Sequence, residues 1–74
     1  MTPEDLALLE ANLDGAVQLT LVTGEVLLAR PIIVVDEPPT PDLFFLELDP
    51  EGNPLSTAGK SILLEEIASV RLPA

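Results

Sequence analysis

The sequence predicts a mainly β fold: a small five-stranded, strongly bent antiparallel barrel behind an N-terminal α-helix. Three observations predict it. Residues 61–72 read as a strand, a one-turn acidic corner at Glu65 and Glu66, and a second strand. Val26–Val35 is a long apolar strand interrupted at Arg30 and Pro31. Proline cannot donate to a ladder, so a bend, bulge or edge is expected there. Thr2-Pro3-Glu4-Asp5 is a helix start placed ahead of the first strand.

Each element follows in order. Thr2 caps free backbone N–H groups, Pro3 fits the first helical position, and the acids complement the helix dipole. Leu6, Leu9 and Leu13 recur at helical spacing with Leu8 alongside, so a helix is expected over residues 3–13. Asp14-Gly15 is its stop, with Gly15 taking positive φ. Such a helix is too short to stand alone and must lie on an open end or face of the barrel. Val17, Leu19 and Leu21 alternate with Gln18 and Thr20, which marks a half-buried strand over residues 16–22. Thr23-Gly24 makes a tight hairpin turn into a second strand over 25–35. Beyond Pro31 the residues Ile32, Ile33, Val34 and Val35 are apolar on both faces. One face should meet the core, the other the helix or a second subunit. Residues 36–42, with Pro38, Pro39 and Pro41, form a stiff acidic solvent loop. The third strand, 42–48, holds both aromatics, Phe44 and Phe45. A second loop rich in Pro and Gly runs from 49 to 59 and is expected to be tacked down by Leu55. Strands over 61–64 and 68–72 then pair around the acidic corner, and residues 1–74 make one domain.

Composition narrows the function. There is no Cys and no His, so a disulfide framework and a conventional zinc site are excluded. Apolar residues are 47% of the chain and aromatics only 3%, so the core is aliphatic. That is more aliphatic surface than a domain this small can hide alone, which predicts a homo-oligomer. Thirteen acids against three bases give a net charge of −10. Arg30, Lys60 and Arg71 are scattered, so nothing resembles the clustered cations that neutralise phosphates. The field opposes nucleic acid and anionic lipid and favours a basic protein partner. No apolar stretch approaches the roughly 18 residues of a membrane span. The N-terminus has neither a basic segment nor an apolar one of the secretory kind. No membrane association and a cytoplasmic location are expected.

The strand pair Val17-Gln18-Leu19-Thr20-Leu21-Val22-Thr23-Gly24-Glu25-Val26-Leu27 is followed later by Ile62-Leu63-Leu64-Glu65-Glu66-Ile67-Ala68-Ser69-Val70. With the helix and the bent second strand, this frame resembles the Sm-like small β-barrel of the SH3-like group and covers most of the chain. RNA-binding Sm proteins carry Asp-x-x-Met-Asn after the bend, where this chain has Val35-Asp36-Glu37-Pro38-Pro39. Their Arg-Gly or Lys-Gly pair after the fourth strand is replaced by Glu65-Glu66. The resemblance therefore carries over no base-binding residue. In length, acidity and N-terminal helix the chain is similar to the Rof-type inhibitors of the terminator Rho. The hairpin from Leu19 to Leu27 and the corner Leu63-Leu64-Glu65-Glu66-Ile67 carry that likeness. The acidic entry with Tyr typical of that family is absent. The likeness implies binding to a protein partner and blocking its access to RNA.

Residue patterns for chemistry are thin. Gly59-Lys60-Ser61 looks like the end of a phosphate-binding loop, but Pro54 stands where the first Gly belongs. Asp49, Glu51 and Asn53 alternate like calcium ligands. However, Pro54 occupies the glycine position and Lys60 the bidentate acid position. Lys60 is the only lysine that could activate a Ser or Thr, and it sits in an expected exposed loop. Glu65-Glu66 would need a deep pocket to split their pKa values, which a barrel filled by its own side chains does not offer. Arg71 either faces solvent or pairs with an acid on a neighbouring strand or subunit. No catalytic residue, cofactor or metal is expected, and the chain is not expected to be an enzyme. The sequence points to an acidic protein-interaction or assembly module, regulating a basic partner. A ring-forming nucleic-acid-associated protein and a purely structural subunit are the alternatives. The expected protein-binding residues are Asp36, Glu37, Asp42, Glu65 and Glu66. The expected self-association residues are Ile32, Ile33, Val34 and Val35, with the edges of strands four and five.

Overall fold

The computed structural model describes residues 1–73. Its elements are α1 (Pro3–Ala11), β1 (Val17–Leu21), β2 (Val26–Val35), β3 (Asp42–Leu48), β4 (Lys60–Leu63), a 3₁₀ turn η1 (Leu64–Glu66) and β5 (Ile67–Arg71). The strands form one antiparallel sheet in the order β4-β3-β2-β1-β5.

The helix starts where the sequence placed it. The Thr2 hydroxyl accepts from the Asp5 amide at 3.2 Å, and the Asp5 carboxylate accepts from the Thr2 amide at 2.8 Å. This reciprocal capping box satisfies donors that the first turn leaves free. The end differs. α1 stops at Ala11, two residues short of expectation, because Asn12 turns its side-chain amide back onto the Leu8 carbonyl at 2.7 Å. Asp14, not Gly15, takes the left-handed conformation, with φ 63°. A short polar side chain tolerates that region, and the Asp14 amide donates to the Pro31 carbonyl at 2.8 Å. Leu13 therefore leaves the helix and is exposed, while Leu6, Leu8 and Leu9 pack inward.

The β1–β2 hairpin turns at Gly24, whose φ of 94° is closed to most side chains. β2 is the central strand and pairs with both β1 and β3. Its ladder with β3 slips between Pro31 and Ile33. Before the slip Ala29 and Pro31 are buried; after it Val34 packs on the core. A bulge inserts one residue and so swaps which parity faces inward.

The last two strands do not pair with each other. β4 pairs with β3, β5 pairs with β1, and the two lie at opposite edges of the sheet. The hydrogen-bonded ladder is therefore open, where a closed barrel was expected. The η1 corner spans the opening. Its Leu64 amide donates to the Pro41 carbonyl ahead of β3 at 3.0 Å. Its Glu66 carbonyl accepts from Val22 after β1 at 2.9 Å. The three-residue turn thus uses its backbone on both flanks instead of closing a hairpin.

The core is aliphatic apart from Phe45. Leu9 of α1 meets Val17, Leu19, Leu43, Ile67 and Val70 from the strands, each nearly or fully sealed. Among the described residues no polar or charged residue is buried. Leu48 is buried apart from this cluster, where Pro54 of the 49–59 loop bridges to it. Leu55 does not tack that loop with its side chain, which is exposed; its amide does so, donating to the Glu47 carbonyl at 2.9 Å.

Asp5 also ties the helix to the sheet. Its second oxygen accepts from the Val70 amide of β5 at 3.0 Å. The Thr2 amide foremost, then the Val70 amide and Thr2 hydroxyl, hold its carboxyl below the usual range, against an opposing push from burial. A folded-state pKa below the unfolded value stabilises above the unfolded pKa and is lost as pH falls through the folded one. Asp5→Ala should therefore cost about 1 kcal/mol near pH 7. The gap to the parent should shrink as pH drops below about 4, which denaturant melts at stepped pH would read.

Candidate functional site

The residues with most to explain lie on the face of the sheet opposite the core. Cross-strand partners point to the same side. Ile33 is opposite Phe44, which is opposite Ser61; Val35 is opposite Asp42, which is opposite Leu63. These two adjacent rows put Ile33, Val35, Phe44 and Leu63 on one continuous patch. Their exposures are 55%, 41%, 39% and 36%. Of the expected self-association residues, Ile33 and Val35 thus face outward, Val34 packs on the core and Ile32 is half-buried. Phe44 belongs to the patch and was missed by the sequence reading, while Leu63 lies on strand four, whose edge was expected to contribute without a residue being singled out. Phe44 and Phe45 are adjacent, and only the bulge register says which one faces out.

Phe44 is held in place from the side. A Cβ built on Gly59 would run into the Phe44 ring. Gly59 therefore lets the strand before Ser61 approach that ring, and the backbone supports it edge-on. Arg30 stands beside Leu46 on the same outer side, half-buried, with a buried Nε that has no hydrogen-bond partner.

The expected acidic residues divide into two groups. Asp36 and Glu65 line one surface hollow together with Met1, Pro41 and Leu64. Asp42 lies one strand from Leu63 in the same row. These three acids sit at the end of the sheet where β2 leaves, β3 enters and η1 turns, next to the apolar patch. Glu66 lines neither this hollow nor the adjoining one; its carboxylate accepts from the Leu63 amide at 3.3 Å. Glu37 is exposed in the loop before the cis Pro38–Pro39 bond. A second hollow of about 210 Å³, lined by Pro39, Thr40, Pro41, Leu63 and Glu65, adjoins the first. It is smaller than the roughly 300–1,000 Å³ clefts that enclose small ligands. Among the described residues no three carboxylates come together as a metal-binding group.

The cations do not form a patch. Lys60 pairs with Glu47 at 2.6 Å, the one ion pair among the described residues, and Glu47 raises its pKa through that bond. Arg71 is exposed on β5, opposite Gln18. No described helix is long and apolar enough to cross a membrane. Comparison with known proteins finds no matching family model, no matching curated protein and no matching solved structure.

Gly59→Ala should destabilise the fold by about 1–3 kcal/mol, the usual range for overpacking. Most of that cost should vanish in a Phe44→Ala background, because the ring is what the new methyl strikes. A double-mutant cycle by denaturant melts measures the coupling.

Proposed function

We propose that this chain is a non-enzymatic, acidic protein-interaction or assembly module of Sm-like fold. The observation that carries the reading is the apolar patch Ile33, Val35, Phe44 and Leu63, bordered by Asp36, Asp42 and Glu65. The fold part is supported by the leading helix, the bent β2 and the one-turn corner before β5. The patch is where copies of the chain meet, and the acids beside it receive a basic protein surface. A partner of that charge is the kind whose RNA contacts such docking would block.

Magnitudes set the strength of the contact. Covering each half-exposed aliphatic or aromatic side chain is worth about 1 kcal/mol. Two copies of the patch together supply about 8 kcal/mol, within the estimated 4–15 kcal/mol cost of association. The patch alone therefore gives a weak, concentration-dependent contact.

Ile33→Glu and Val35→Glu should each lower the solution mass of the assembly at a fixed concentration, read by light scattering. If both variants keep the parent mass, this face is not the contact. For the acidic border, the chain should retain an Arg- and Lys-rich protein in a salt-dependent way. The triple variant Asp36→Lys, Asp42→Lys, Glu65→Lys should lose that binding by tenfold or more. Equal retention by parent and variant would remove the border from the account.

A further inference from the structure

We propose that the open edge of β4 pairs antiparallel with the β4 edge of a second copy, about a two-fold axis at Ser61. This rests on the assembly reading above and specifies a seam for it. An open sheet has two edges, and here they are unequal. The β5 edge is guarded: the Val70 amide donates to Asp5 Oδ1 at 3.0 Å, and α1 packs along the strand. An incoming strand would have to displace a charged hydrogen bond and a helix.

The β4 edge is guarded at one end only, where Glu66 Oε1 accepts from the Leu63 amide, and an incoming strand has to displace that one long contact. The Leu64 amide donates toward β3, to the Pro41 carbonyl. In an antiparallel ladder the hydrogen-bonding direction alternates, so Ile62 also faces β3 while Ser61 and Leu63 face outward. Leu63 confirms this by giving its amide to Glu66 Oε1, at a long 3.3 Å. Ser61 lies at the middle of the open edge and is exposed. A two-fold axis perpendicular to the sheet keeps faces together, so Ser61 meets Ser61 of the second copy and exchanges two backbone hydrogen bonds. Leu63 of the second copy then falls beside Gly59, against the Phe44 ring that Gly59 supports. Two half-exposed apolar side chains cover each other, and the two patches join on one side of a continuous sheet.

Charge selects this pairing over β4 with β5. With the axis at Ser61, Lys60 lies opposite Ile62 of the other β4, and no like charges are opposed. Antiparallel β4–β5 would set Lys60 near Arg71, and one Glu65-Glu66 corner near the other. Like charges opposed in this way disfavour the contact.

The chain contains no Cys, so an introduced thiol reports one position. In the Ile33→Glu background, which removes the face contact, Ser61→Cys should form an intermolecular disulfide under mild oxidation. Residues opposed across a ladder lie about 5.5 Å apart at Cα, inside the range a disulfide spans. Ala68→Cys on β5 should not form one. Ser61→Pro removes an outward N–H that the chain's own ladder does not use, and should run at the mass of one chain in the same background. Absence of the Ser61→Cys dimer, or a dimer formed equally by Ala68→Cys, would overturn the β4 seam. Failure of the assembly reading is seen separately, as an unaltered chain that runs at the mass of one chain at every concentration.

Discussion

Strand β2 carries two ladders at once, and its bulge decides what the rest of the sheet presents. Without the slip between Pro31 and Ile33, strict alternation from Ala29 and Pro31 would turn Ile33 and Val35 into the core. The slip sends Val34 inward instead and leaves Ile33 and Val35 on the outer face. Pro31 is buried at this point, and its carbonyl holds the Asp14 amide, so the loop leaving α1 is anchored to the same bend. The proline thus links three things: the position of the helix, the change of parity, and the apolar patch.

The surface bears the consequence. The total accessible area is 4586 Å², close to the ~4,400 Å² expected of a compact monomer of this mass. The chain is therefore not loosely folded. What is unusual is the makeup of that surface: a contiguous aliphatic and aromatic patch beside acids, on a chain of net charge −10. Repulsion between copies opposes association, while the patch and the more open sheet edge favour it. The edges themselves are treated unequally, with Asp5 closing one and a long Glu66 contact only partly covering the other.

Much of the local structure was legible because single residues dictate it. Thr2, Pro3 and Asp5 start a helix in one way, Gly24 allows one kind of hairpin, and Pro31 forces an irregularity. The helix end was misjudged because Asn12 and Asp14 compete with Gly15 for the stop, and the winner depends on a tertiary bond to Pro31. The pairing of the last strands was misjudged for a related reason. A three-residue corner can close a hairpin or cross an opening, and contacts from Pro41 and Val22 decide between them. Of the candidate surface, Ile33 and Val35 were visible as excess apolar residues. Phe44 was not, since its side is set by register, which alternation alone does not reveal in runs such as Leu43-Phe44-Phe45-Leu46; Leu63 was covered only by the edge of strand four as a whole.

The claim at the centre is that the outer patch is covered in solution by another copy of the chain. Light scattering on the unaltered protein across a dilution series tests it most directly. The account predicts a mass of two chains or more at high concentration, falling on dilution as expected of a weak contact. The mass of a single chain at every concentration would contradict it.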